Sequence, residues 1–323
     1  MPKLFLSLLM CIFLFAEPAF AQEDPFTVIA TNFPAFDIAR TIAGSEADVQ
    51  MLLPPGSESH SYEPTPHDII AIQSSDLFVY TGGESDTWIE TILSSMGSDA
   101  PETFQLSSSV VTLASEETES MEHSHAHEHN DAWECSDPAH VHEEGHQHEV
   151  DEHVWTSPKN VMQIADALTE KLCILNPVEA SAYQERNTAY QRELAALDAA
   201  FESIVASAKR NLLIFGDRFP FRYFTAAYNL QYDAAFPGCS EDSEPSVRTV
   251  ISLVNKVREQ KIPVVFYIEF SNRRTADILA EETGAKALLF HSCHNVSADE
   301  IEAGTTYLSL MWQNTEALKE ALY

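Results

Sequence analysis

Residues Pro177–Arg210 read PVEASAYQERNTAYQRELAALDAAFESIVASAKR and contain no glycine and no second proline. This pattern predicts one amphipathic helix of about thirty residues, roughly 50 Å long. A helix of this length could form a coiled-coil seam, but an α/β pattern lies on each side of it, which favours a rigid spine between two lobes. Its apolar face repeats in three- and four-residue steps, at Tyr183, Tyr190, Leu194, Leu197, Phe201, Ile204 and Ala208.

The segments on either side of this helix alternate short apolar runs with helical periodicity. Before the helix the apolar runs are FTVIAT, ADVQMLL and DLFVY, and after it they are NLLIF, QYDAAF, PVVFYIEF and AKALLF. Strands that alternate with helices favour parallel sheets with helices on their faces. The sequence therefore predicts an α/β fold of two lobes, each a mostly parallel sheet flanked by helices. The predicted units are 22–176, the spine helix 177–210, and 211–323.

The N-terminus has the features of an export signal. A single lysine precedes the apolar run LFLSLLMCIFLF, which is too short to span a membrane comfortably, and Ala19-Phe20-Ala21 is a small-x-small cleavage pattern. We predict a signal peptide at 1–21, cleavage between Ala21 and Gln22, and a soluble mature chain in the periplasm. A buried N-terminal helix is the alternative.

Four cysteines remain after this cleavage: Cys135, Cys173, Cys239 and Cys293. In an oxidising compartment they could form up to two disulfides, whose pairing the sequence does not determine. Cys239 and Cys293 each follow a predicted strand and could be neighbours; buried free thiols are the alternative.

The composition is strongly acidic, with a formal net charge of −32 and no Lys or Arg between Arg40 and Lys159. Such a chain repels phosphate backbones, so nucleic acid is excluded as a partner, and it concentrates cations.

Histidines fall into two groups. Eight lie in a polar, acidic segment within about 114–150 that cannot bury itself and is predicted to be a flexible loop: His123, His125, His127, His129, His140, His142, His146 and His148. The other five are His60, His67, His153, His291 and His294. His60 and His291 follow predicted strands, at the carboxyl edges where α/β sheets bind ligands, and His153 precedes a helix. Three imidazoles from separate loops can hold zinc.

Two motifs carry a resemblance to a known family. LLPPGSESHSYEPTP and DEHVWTSPKN, followed by the spine helix and by GCSEDSEPS and VFYIEF, resemble the metal-binding solute-binding proteins of ABC importers, the zinc and manganese uptake group. The resemblance covers nearly the whole mature chain. It implies that His60 and His153 are ligands and that the acidic His-rich loop is an insertion typical of zinc members.

The second lobe departs from the family pattern. Where the family places a third histidine, this chain has Arg218 beside Asp217, and the family's acidic fourth position falls on His291. The metal ligands predicted from this resemblance are His60, His153, His291 and Asp217, with Glu63, Cys239 or water as alternatives to Asp217. Arg218 is expected to pair with Asp217 or Glu269.

The resemblance and the three imidazoles predict a zinc-binding component of an ABC importer, with zinc as the transported ligand and a permease and its ATPase as partners. The His-rich loop is predicted to collect zinc, and the chain to be a monomer. The alternatives are a zinc-dependent hydrolase and a manganese-binding or adhesin-type relative. A His-Glu-x-x-His motif and a nucleophile elbow are both missing, so we predict that the chain is not an enzyme.

Overall fold

The computed structural model describes residues 25–58, 60–114, 150–236 and 245–323. The predicted signal peptide, the histidines of the acidic loop, Cys135 and Cys239 lie outside the described residues. Cys173 is partly buried and Cys293 is buried, and no disulfide joins these two.

The first sheet has four parallel strands in the order β2-β1-β3-β4. The side chain of Asn32 caps the first turn of α1, and the side chain of Thr65 caps the first turn of α2. The elements are β1 Phe26–Ala30, α1 Phe33–Ala43, β2 Ala47–Met51, α2 Pro66–Ser74, β3 Leu77–Tyr80, α3 Thr87–Met96 and β4 Glu102–Gln105.

The second sheet repeats the arrangement with the order β6-β5-β7-β8, again parallel. Its inner strand β5 is buried along its whole length, as expected for a strand covered by helices on both faces. The elements are β5 Leu212–Phe215, α6 Arg222–Tyr228, β6 Gln231–Ala234, α7 Val247–Gln260, β7 Val264–Tyr267, α8 Arg274–Thr283, β8 Lys286–Leu289, α9 Ala298–Glu302 and α10 Tyr307–Leu322.

Two helices connect the sheets in sequence, α4 (Pro158–Leu175) and α5 (Ala180–Ala206). Helix α5 has 27 residues and is shorter than the predicted 177–210, because Pro177 begins a turn and the helix ends at Ser207. Its buried face contacts α1 and α4 of the first lobe and α10 of the second. The two parallel four-stranded sheets flanked by helices confirm the predicted fold class.

One apolar core runs through both lobes rather than ending between them. It joins Val28 of the first sheet to Phe215 of the second through the apolar face of α5. Trp155, completely buried, donates its indole N–H to the carbonyl of Ser292, and Tyr307 donates to the carbonyl of Trp155. Because a packed core does not deform continuously, the facing edges of the two sheets are held in fixed positions.

The loops at the carboxyl ends of the strands meet across this boundary. The Gly56 N–H donates to the carbonyl of Val296, and the amide of Asn295 donates to the carbonyls of Pro54 and Ser57. The loop after β2 and the loop after β8 therefore form one surface, and both contain histidine.

The sequence pattern did not predict α3 and β4. Strand β4 is a four-residue edge strand with an exposed first residue, so it lacks a continuous apolar run. Across the described ranges, no helix combines the length and apolar character needed to cross a bilayer.

Candidate metal centre

Three histidines from three separate loops converge between the lobes. His60, His153 and His294 each offer a ring nitrogen, and these nitrogens lie within 4.8 Å of one another. The ring centroids are 5.2 Å apart for His60 and His294, 5.4 Å for His153 and His294, and 5.9 Å for His60 and His153. Three imidazoles at this spacing can close around a single cation.

A chain of hydrogen bonds orients His60. The Ser85 hydroxyl donates its proton to Glu152 Oε1, 2.6 Å away. The Ser85 oxygen therefore accepts the Nδ1 proton of His60, across 2.7 Å. This arrangement leaves Nε2 of His60 as the unprotonated nitrogen. Gly83 permits the close packing, because a Cβ at that position would lie 2.4 Å from Cβ of Glu152.

Asp151 orients His153 in the same way. One carboxylate oxygen of Asp151 lies 3.0 Å from Nδ1 of His153 and 2.9 Å from its backbone nitrogen. His153 is completely buried, and within the described ranges its Nε2 has no hydrogen-bond partner. A carboxylate behind a histidine fixes the tautomer that presents the opposite nitrogen to a metal.

Glu269 shapes the loop that carries His294. Its carboxylate accepts hydrogen bonds from the backbone nitrogens of Ser292, at 2.8 Å, and of His294, at 3.0 Å, and from the Ser292 hydroxyl. Cys293, between them, has φ +60°, which turns the chain sharply. The ring of His294 lies 5.0 Å from that of Trp155, so the motif residues Asp151, His153 and Trp155 all contribute to this centre.

The structure does not bring the predicted ligand His291 into this cluster, in which His294 lies instead. Nδ1 of His291 accepts the Cys293 N–H at 3.0 Å, and the backbone of His291 exchanges two hydrogen bonds with the Asn314 amide. These contacts hold His291 on the buried side of the loop. The two histidines are three residues apart, and only these long-range contacts decide which one faces the cleft.

Asp217 also lies outside the cluster. Its carboxylate accepts hydrogen bonds from the backbone nitrogens of Arg218 and Ile268, and it lines a neighbouring cleft. Among the alternatives for its place, Glu63 is exposed and does not line the cavity of the three histidines, and Cys239 is outside the described residues. The expected pairing of Arg218 with Asp217 or Glu269 was wrong, because its guanidinium binds Glu58, at 2.8 Å.

The pKa values of the three imidazoles are shifted in different directions. Burial lowers the pKa of His60, helped by the neighbouring His153, and burial with the charges of His60 and His153 holds the pKa of His294 well below its ordinary value. Burial also acts to lower the pKa of His153, but the contact with Asp151 outweighs it and raises that pKa. His60 and His294 therefore stay neutral to lower pH than His153 does.

The cavity beside the three imidazoles is small. Its volume is about 30 Å³, and its other lining residues include Glu58, Arg218, Glu269 and Phe270. A water molecule needs about 10–15 Å³ by the same kind of measure, so this space suits an ion with a water rather than an organic solute.

Fold and site together define a two-lobed α/β protein with a cation site at the facing strand ends. Residues 28–321 match the family described as zinc-uptake complex component A, periplasmic (ZnuA), and the chain belongs to that family.

Individual relatives are similar over nearly the whole chain. The high-affinity zinc uptake system protein ZnuA of Bacillus subtilis is 30% identical over 94% of this chain and 89% of its own length. The zinc-binding lipoprotein AdcA of Streptococcus pneumoniae is 28% identical over 98% of this chain, which spans only 60% of that longer protein. The crystal structure of the metal-dependent lipoprotein YcdH of Bacillus subtilis superposes with a TM-score of 0.74 at 26% identity, covering 92% of this chain and all of that one.

Proposed function

We propose that this protein is the solute-binding component of an ABC importer, which captures zinc outside the inner membrane and delivers it to the permease. The observation that carries the proposal is the convergence of three imidazole nitrogens within 4.8 Å between the lobes. The zinc-binding and zinc-uptake names of the relatives support zinc as the cargo. A periplasmic, monomeric carrier that works with a permease and an ATPase is part of this proposal.

The proposed ligands are Nε2 of His60, Nε2 of His153 and a ring nitrogen of His294, with water in the fourth position. Hydrogen bonds to Ser85 and Asp151 support the choice of nitrogen in the first two. Neutral imidazole suits zinc, whereas manganese prefers oxygen ligands, so the nitrogen-rich set favours zinc over manganese.

Three histidines with an open fourth position also occur in zinc hydrolases. A hydrolase needs room for a substrate beside the metal, and the space directly beside the three imidazoles, about 30 Å³, holds little more than a water. The carboxylate nearest to the loop of His294, Glu269, is committed to hydrogen bonds with Ser292 and His294. These observations favour a carrier over a hydrolase.

The acidic histidine tract is proposed to collect zinc for the structured site. Ordering a polar, acidic tract costs conformational entropy that opposes each metal bond it forms, so its sites should be weak. All three proposed ligands of the tight site lie in described parts of the chain outside the tract.

Deleting residues 116–149 should therefore leave one tight zinc per chain and remove additional, weaker ones. Ala114 and Val150 pair in an antiparallel bridge, so the ends of the deleted segment are adjacent and a short glycine linker can join them. Calorimetric titration of zinc into metal-free wild type and deletion variant, with elemental analysis of both, measures the stoichiometry. Loss of the tight site on deletion would make the tract the primary site and would contradict the proposal.

Replacing Asp151 with asparagine should weaken zinc binding by roughly 10–100-fold at pH 8, since the carboxylate fixes the tautomer of His153. The measurement is competition with a chromophoric chelator. The matched control is Asp277→Asn, which removes a surface carboxylate of α8 and should leave affinity unchanged. Equal affinities of wild type and Asp151→Asn would show that Asp151 does not position His153.

A further inference from the structure

We propose that Arg218 is an electrostatic brake on the affinity of the cation site, and that Glu58 sets its strength by neutralising it. The inference rests on the proposed function, because it concerns the same three-histidine site. It explains why an arginine, which cannot bind a cation, stands in the wall of a cation-binding cavity.

Arg218 and Glu58 come from opposite lobes and meet beside the three histidines. Arg218 follows β5 in the second lobe, and Glu58 follows β2 in the first lobe. Both line the cavity of the three histidines, and their side chains meet at 2.8 Å, NH1 to Oε2. The pair therefore bridges the two lobes beside the site.

The ion pair is more exposed to solvent than His60 and His153. The side chains of Arg218 and Glu58 are 26% and 46% exposed, whereas that of His60 is 14% exposed and that of His153 is fully buried. The ion pair thus lies towards the solvent side of the cavity. Solvent reaches it, so the pair can separate at modest cost.

The positive charge of Arg218 opposes the binding of a cation. A guanidinium stays protonated at any physiological pH and cannot bind a metal, so Arg218 places a permanent positive charge in the wall of the cavity. A charge about 4–6 Å from a titrating group can change its pKa by about 1–3 units, a like charge disfavours the charged form, and a divalent ion carries twice the charge of a proton. Glu58 cancels much of this repulsion while it is paired with Arg218. A carrier that must release its cargo gains from a site whose affinity is limited in this way.

The test is a cycle of variants measured by zinc competition with a chromophoric chelator. Arg218→Gln should bind zinc about tenfold tighter or more, because the positive charge is gone and Glu58 is left as an uncompensated negative charge beside the cation. Glu58→Gln should bind about tenfold more weakly, because the guanidinium is left uncompensated. The double variant should return to within about threefold of wild type, because both charges are removed together.

Arg258→Gln is the control for net charge. Arg258 on α7 forms a similar exposed pair with Glu282 on α8 and does not line the cavity, so this variant should match wild type. Raising the salt from 0.05 to 0.5 M should shrink the differences among the site variants.

The two single variants are expected to change zinc affinity in opposite directions, which a purely mechanical role of the ion pair would not do. If the pair only clasped the lobes together, Arg218→Gln and Glu58→Gln would weaken binding alike, and that result would overturn the brake. An Arg218→Gln affinity equal to wild type would overturn it as well. Weak zinc binding by wild type would contradict the proposed function, while the ratio of Arg218→Gln to wild type would still decide the brake; no binding by either protein would overturn both.

Discussion

Replacing His294 with alanine is expected to weaken zinc binding by more than about a hundredfold. The substitution removes one of three imidazoles, and losing a residue that merely orients a ligand already costs 10–100-fold in similar sites. The ring of His294 lies 5.2 Å from that of His60 and 5.4 Å from that of His153, so no other described histidine can replace it without moving the loop. Competition with a chromophoric chelator at pH 8 measures the change.

Two control variants make this result specific. His67→Ala removes an exposed histidine of α2 and should leave affinity unchanged. His291→Asn tests the neighbouring histidine while retaining an oxygen that can accept the Cys293 N–H in the place of the imidazole. If His291→Asn lost tight binding and His294→Ala kept it, His291 would be the ligand after all.

Zinc affinity is expected to fall about tenfold for each pH unit as the pH drops through the raised pKa of His153. A protonated imidazole cannot bind a metal, so a proton competes directly with zinc for the ring nitrogen of each histidine. The pKa of His60 is lowered and that of His294 lies well below its ordinary value of about 6.5, so both imidazoles remain neutral to lower pH than that of His153. A single proton should therefore be displaced per zinc at first, and affinity is retained fully only above the pKa of His153.

Calorimetry in buffers of different ionisation enthalpy counts the protons released on binding between pH 7.5 and 5.5. The Asp151→Asn variant is the internal control, because removing the carboxylate lowers the pKa of His153 and should move the onset of the pH effect to lower pH. Release of three protons per zinc near neutral pH, or an affinity that stays constant down to pH 5.5, would contradict the assigned electrostatics.

The sequence predicts much of this fold because the deciding signals are local. An uninterrupted pattern over 177–210 is sufficient to predict a long helix, and short apolar runs such as that of β5 are sufficient to predict buried strands. Strand β4 was missed because an edge strand needs no continuous apolar run. The motif residues Asp151, His153 and Trp155 lie together in one short segment, so the sequence could also predict that His153 belongs to the site.

The choice between His291 and His294 shows what local signals cannot decide. Both histidines follow β8 in the same loop, and the sequence analysis selected His291, which lies nearer to the strand. The choice depends on contacts with Asn314 and Glu269, more than twenty residues away in sequence. The pairing of Arg218 with Glu58, 160 residues earlier, depends likewise on how the two lobes meet.

The most direct measurement of the central claim is a crystal structure of the zinc-loaded protein, with anomalous diffraction recorded on both sides of the zinc absorption edge. We expect one strong anomalous peak between the lobes, about 2.0–2.1 Å from a ring nitrogen of each of His60, His153 and His294. A peak bound by His291 or Asp217, or peaks only along residues 123–148 with the three histidines left without metal, would contradict the claim.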